Sequence, residues 1–206
     1  MYQLYTMPGS CSMGIHVLLN SLDIPFEIVP KNEVENYRDL VPTNQVPALQ
    51  TPHFMLTEGA AIALYLMAEH GDKALTQNPE FLRWLMYCYA TLHPAYSKLF
   101  SINSMLPEGE VRQQLLQQFA DKLANYWQVF SDQLQDRPFF FGDNVTVIDY
   151  LIAVYVRWGN TFNATKIPIA DNVLELVQRV IALPEFEKAL QKESVQYQIP
   201  ENALAA

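Results

Sequence analysis

The rhythm of hydrophobic and polar positions changes about a third of the way along the chain. Up to His70, short apolar runs of strand length alternate with longer amphipathic segments. Beyond it, almost every apolar residue recurs with the three-to-four-residue spacing of a helix. Tyr2–Tyr5 reads as a strand, Ser12–Leu22 as a helix ended by Asp23-Ile-Pro25, and Phe26–Val29 as a second strand. After an irregular stretch from Lys31 to Gln45, Val46–Gln50 and His53–Leu56 read as two strands joined by a tight turn at Thr51-Pro52. Glu58–His70 is a helix closed by Gly71. Pro79 opens a long helix to about Asn103, Glu108–Leu134 forms another, and Thr146, Asn172 and Pro184 begin three shorter ones.

The order strand, helix, strand, strand, strand, helix, with a parallel pair and then an antiparallel pair, is that of a thioredoxin-like α/β domain. The chain is therefore expected to hold a thioredoxin-like domain over residues 1–73, a linker over 72–79, and an all-α domain over 80–206. Val145-Thr-Val-Ile-Asp-Tyr150 marks one helix start: Thr146 and Asp149 have capping-box spacing, and Val145 and Tyr150 have staple spacing.

Composition narrows the function classes. Half of the 206 residues are hydrophobic and 17% are charged, which is ordinary for a globular enzyme. The net charge of −9 excludes a protein that wraps nucleic acid or rests on an anionic membrane. Two cysteines, Cys11 and Cys88, make no disulfide framework, no secretory signal opens the chain, and no apolar run is long enough to span a bilayer. These features point to a reduced, cytoplasmic protein.

Cys11 lies in the loop between the first strand and the first helix. There, free amides and the helix dipole are expected to lower its pKa toward a thiolate. Gly14, three residues on, removes a dithiol pair. Cys88, within Trp84-Leu-Met-Tyr-Cys-Tyr-Ala90, reads as a packed helix residue. Thr57-Glu-Gly59 begins a helix with Thr57 as its cap. The same stretch could give the Glu58 carboxylate to a ligand ammonium and the Gly59 amide to a ligand carboxylate.

Pro8-Gly-Ser-Cys-Ser12 with His16, Asn44-Gln-Val-Pro-Ala-Leu49, Leu56-Thr-Glu-Gly-Ala-Ala-Ile62 and the Thr146/Asp149 box together resemble the cytosolic glutathione S-transferases across essentially the whole chain. The cysteine and Thr-Glu-Gly version is most similar to the bacterial beta class. The resemblance implies a homodimer that takes glutathione as co-substrate at a domain cleft, and a detoxifying transfer to a small apolar electrophile. It implies that Cys11 stabilises the glutathione thiolate or forms a mixed disulfide with it, the latter serving peroxide or disulfide reduction. His93 would assist the thiol. Glutathione would be held by Ser12, Gln45, Val46, a cis Pro47, Glu58 and Gly59, with Lys31 or Arg38 on its glycyl carboxylate. An apolar pocket for the electrophile is expected beside Tyr87, Tyr89, His93 and Tyr96.

The pattern departs from the beta class where Pro94 follows His93 in place of lysine and Met86 stands in place of asparagine. Both changes remove polar contacts to glutathione. Two other readings therefore stand beside the first: a non-catalytic binding or regulatory module on the same fold, and a tyrosine- or serine-dependent transferase using Tyr5, Ser10 or Ser12.

Overall fold

The computed structural model describes residues 1–204. Its strands are β1 (Tyr2–Thr6), β2 (Phe26–Pro30), β3 (Ala48–Gln50) and β4 (Met55–Thr57). Its helices are α1 (Ser12–Ser21), α2 (Tyr37–Leu40), α3 (Gly59–His70), α4 (Pro79–Tyr87), α5 (His93–Met105), α6 (Glu110–Leu134), α7 (Val147–Trp158), α8 (Asp171–Ile181) and α9 (Pro184–Lys192). The sheet runs β2-β1-β3-β4, with β1 parallel to β2 and antiparallel to β3, and β3 antiparallel to β4. This is the expected mixed order, so the β1-α1-β2 crossover and the late hairpin follow directly from the sequence pattern.

Three local expectations are corrected. The stretch after β2 contains a 3-10 turn, Lys31–Glu33, and the short helix α2. β3 begins at Ala48 rather than Val46, because proline has no N–H to place in a ladder. The single helix expected from Pro79 to Asn103 is two helices separated by a π-helical turn, Cys88–Leu92, with Pro94 in the first turn of α5. Pro94 cannot donate to a carbonyl four residues back, so the regular ladder cannot run through it.

The described chain divides into two compact units: Met1–Met86 with Ala182–Gln196, and Tyr87–Ile181 with the tail from Tyr197. In the first, α9 packs on α1, which itself contacts α3 and β1. Leu4, Met13, Ile15, Val17, Leu19, Leu49, Ile62, Leu66 and Phe186 are buried there. A smaller cluster joins Tyr5, Tyr37, Val41 and Ala48. In the second unit, α7 is buried along nearly its whole length, as expected of a helix that is apolar on every side. Trp127, Tyr96, Tyr150, Phe130 and Phe140 are fully buried side chains of this unit, each removing on the order of 150–250 Å² from water. The Thr146/Asp149 capping box forms as expected, and the Asp149 carboxylate also accepts the Phe140 N–H at 2.7 Å. No helix among the described residues is long and apolar enough to cross a membrane.

Candidate functional site

The loop after β1 turns at Met7–Ser10, with Gly9 at a φ of +69° that glycine adopts without strain. Helical geometry begins at Cys11, whose φ and ψ are −59° and −19°. Its side chain caps nothing. Instead Sγ lies 3.5 Å from the Val46 carbonyl oxygen, as a weak donor. Cys11 is only 8% exposed. Burial pushes its thiol up to about 12, while the backbone amides of Cys11 and Ser12 pull the other way and are outweighed. The expected thiolate is thus corrected: the helix start is present, but desolvation of the charged form is the larger effect. Cys88 is fully buried, as expected, and its thiol is pushed higher still by the same cause.

Ser12 is buried, and its Oγ lies 2.8 Å from Ser10 Oγ and 3.3 Å from the Met7 N–H that it accepts. Both hydroxyls therefore brace the loop. Tyr5 faces the cluster with Tyr37, their rings 5.5 Å apart.

The second element of the site is the 44–47 stretch. The Val46–Pro47 bond is cis, as the resemblance implied. Tyr37 Oη donates to the Gln45 carbonyl at 2.9 Å, and Lys31 Nζ donates to the Asn44 carbonyl while standing over the Tyr37 ring. These contacts fix the two carbonyls ahead of Val46. Of the two candidate carboxylate binders, Lys31 is thus engaged by the loop, whereas Arg38 is exposed. Gln45 is also exposed, Val46 is half-buried and Pro47 is buried.

The third element is the start of α3. Thr57 is the last residue of β4 and not the cap; Glu58 takes that position, with φ +65° and ψ +109° and no side-chain capping bond. A non-glycine residue at positive φ carries backbone strain of about 1–3 kcal/mol. The result is an exposed carboxylate beside the buried Gly59, whose amide and those of the next residues have no acceptor within the helix.

One residue at this loop escapes sequence reasoning. The Glu193 carboxylate, 7% exposed, accepts the Gly9 N–H at 2.9 Å through Oε2, and Oε1 lies 2.8 Å from His16 Nδ1. A carboxylate at the C-terminal end of a helix opposes the dipole. That misplacement, at the cap of α9, is the only signal the sequence offers.

In the second unit His93 follows the π-helical turn. Its Nδ1 lies 3.4 Å from Ser97 Oγ, and its ring meets Tyr155 and Trp158 edge-on at 5.9 and 5.3 Å. Burial lowers its pKa, so the imidazole is neutral near pH 7. Of the aromatics expected around an electrophile, Tyr96 is wholly buried and accepts from Trp127 Nε1, and Tyr87 Oη donates to the Tyr126 carbonyl. Both serve packing within their unit.

Residues 4–74 match the family model for the glutathione S-transferase N-terminal domain, and residues 60–184 match that for the C-terminal domain. A glutathione S-transferase of Xanthomonas campestris is 29% identical over 203 residues, covering 94% of this chain and 99% of its own length. Glutathione S-transferase GstA of Escherichia coli O157:H7 is 28% identical over 209 residues, covering 94% and 99%. Among solved structures, a glutathione S-transferase of Xylella fastidiosa superposes with a TM-score of 0.82 at 24% identity, over 95% of this chain and all of that one. A sphingomonad glutathione S-transferase complexed with glutathione superposes at 0.75 and 21% identity, over 94% of this chain and all of the other.

Proposed function

The chain belongs to the glutathione S-transferase family, and we propose that it activates the glutathione thiol at the head of α1 and transfers it to a small apolar electrophile. The observation that carries this reading is the Cys11 thiol, held at the head of α1 and aimed at the carbonyl beside a cis proline. Relatives named as glutathione S-transferases along nearly the whole chain support the substrate.

In this reading Cys11 acts as a neutral S–H donor. Glutathione gives up its thiol proton to solvent, and Cys11 donates to the resulting thiolate. The thiolate lone pair forms a carbon–sulfur bond, and the leaving group departs with the electrons of the broken bond. A hydrogen bond to a charged group contributes about 1.5–3 kcal/mol, enough to lower the glutathione thiol pKa by about one to two units. The Val46 backbone pairs with the cysteinyl unit, and Glu58 and Gly59 hold the γ-glutamyl end, with Ser12, Gln45 and Pro47 shaping the pocket. Reduction through a Cys11 mixed disulfide begins from a Cys11 thiolate, which burial disfavours, so conjugation is the primary activity. We place the protein in the cytoplasm as a homodimer, a state that sedimentation of the purified chain would read.

The test is calorimetric titration with glutathione, together with the pH profile of kcat/KM for an activated aryl halide, in the native chain and in Cys11→Ala and Tyr5→Phe variants. Cys11→Ala should weaken binding and raise the apparent pKa of the bound thiol by about one to two units. Loss of turnover only in Tyr5→Phe would move the role to that hydroxyl. Absence of binding at millimolar glutathione would favour a binding module on the same fold.

A further inference from the structure

Glu193 and His16 are buried titratable side chains of the first unit that form no hydrogen bond with Cys11, Val46 or Glu58. Glu193 stands at the C-cap of α9, and the left-handed Ser194 follows it. A carboxylate at that end gains nothing from the helix, and burying one is costly unless its oxygens are met. Both oxygens are met: Oε2 accepts the Gly9 N–H at 2.9 Å, and Oε1 lies 2.8 Å from His16 Nδ1.

These contacts straddle Cys11. Gly9 lies in the loop before it, at a φ of +69°, and His16 lies in the second turn of α1 after it. Loop and helix meet at Cys11, so one carboxylate holds both arms of that junction. Ser12 ties the loop to Met7 from within, whereas Glu193 ties it to another element. That element is itself anchored. Asn20 Nδ2 donates to the Glu185 carbonyl at 2.9 Å, fixing the other end of α9 to α1, and the His16 ring meets Phe26 of β2 edge-on at 5.4 Å. The contact from Cys11 Sγ to the Val46 carbonyl, by contrast, is a weak thiol bond at 3.5 Å that cannot set the direction of the side chain alone.

We propose that Glu193, acting through Gly9 and His16, is the positioning residue of the thiol: it holds loop and helix at the angle that keeps Cys11 Sγ out of water and directed at the Val46 carbonyl. Its effect on turnover rests on the role given to Cys11 above. Its effect on the thiol itself does not.

The test uses both cysteines, which are buried and lie in different units. The full chain, without glutathione, is labelled with iodoacetamide at one mildly alkaline pH, and each cysteine is followed by peptide mass spectrometry. Glu193→Ala removes both contacts; His16→Leu removes one and keeps an apolar side chain against Phe26. Cys11 should label about tenfold faster in Glu193→Ala and less than that in His16→Leu, with Cys88 unchanged in both, because only the loop is released. Cys11 labelling at the native rate, or both cysteines accelerating together as in general opening of the fold, would overturn the proposal. In turnover of an activated aryl halide, kcat/KM should fall about tenfold in Glu193→Ala and no further when that substitution is added to Cys11→Ala. Faster Cys11 labelling with unaltered kcat/KM would keep the positioning role and remove Cys11 from the transfer. A native labelling rate in a chain whose Cys11→Ala variant binds glutathione weakly would do the reverse.

Discussion

At the start of α7 a buried carboxylate closes the helix end; at the start of α1 only the Ser10 hydroxyl reaches an amide, that of Ser12, and at the start of α3 no side chain among the described residues does. Asp149 accepts from Thr146 N–H at 2.7 Å, from Thr146 Oγ1 at 3.0 Å and from Phe140 N–H at 2.7 Å, so that helix end is closed from within the protein. Cys11 and Glu58 stand at the heads of α1 and α3 without a capping bond, one turned to a neighbouring carbonyl and the other to solvent. Burial raises the pKa of both Asp149 and Cys11. For Asp149, hydrogen bonds hold the rise to about 6, whereas two backbone amides leave Cys11 at about 12. A helix start therefore does not by itself make an anion; the number of donors set against the loss of water decides.

The most severe way to break this contrast is Asp149→Ala. Two buried backbone N–H groups would lose their acceptor, and urea unfolding should show a loss of about 3 kcal/mol or more. The next test is one of pH. The folded Asp149 value of about 6 lies above its ordinary 3.8, so its contribution is fully present below about 4 and is lost as the pH rises through about 6. Subtracting the unfolding free energy of Asp149→Asn, which cannot titrate, should leave a curve that falls between those limits and is flat above. A difference curve flat throughout would show that Asp149 titrates alike in the folded and unfolded chains.

Glu193→Gln probes the loop that carries Cys11. One of its two acceptor contacts, to Gly9 or to His16, would be replaced by an amide donor, at a cost of about 1–3 kcal/mol in unfolding free energy. The smallest effect belongs to Cys11→Ala. Its Sγ makes one weak hydrogen bond, to Val46, so stability should change by about 1 kcal/mol or less on its removal. In the native chain without glutathione, Cys11 should resist alkylation at neutral pH and react faster as the pH rises. Rapid neutral labelling would restore the lowered thiol expected from sequence.

Much of the fold was legible because punctuation lies close in sequence to what it punctuates. Pro25, Gly71, Pro79 and Pro184 bound their elements, and Thr146 with Asp149 announces α7. The sheet order followed from run lengths and turn residues. Where Pro47 and Pro94 act on backbone bonding, the start of β3 and the break before α5 moved accordingly. Of the candidate site, Cys11 beside Val46 and Gly59 opening α3 were readable as motifs. The state of the Cys11 thiol was not, since it depends on how much water the surrounding fold removes. Nor was Glu193, whose partner His16 is 177 positions away. Lys31 read as a ligand-binding cation, but the Asn44 carbonyl that engages it is placed by a left-handed residue no pattern foretold.

The π-helical turn at Cys88–Leu92 has a consequence for the phase of everything after it. An α-helix advances about 100° per residue, and a π turn accommodates one extra residue without breaking the rod. Because the wide turn absorbs that residue, His93, Tyr96 and Leu99 keep their facing on α5 as though it were absent. Deleting one residue between 88 and 92 would restore a regular ladder up to Pro94 and leave the faces of α5 unturned, whereas a deletion within α5 ahead of Tyr96 would turn that ring by about 100° out of its place in the core.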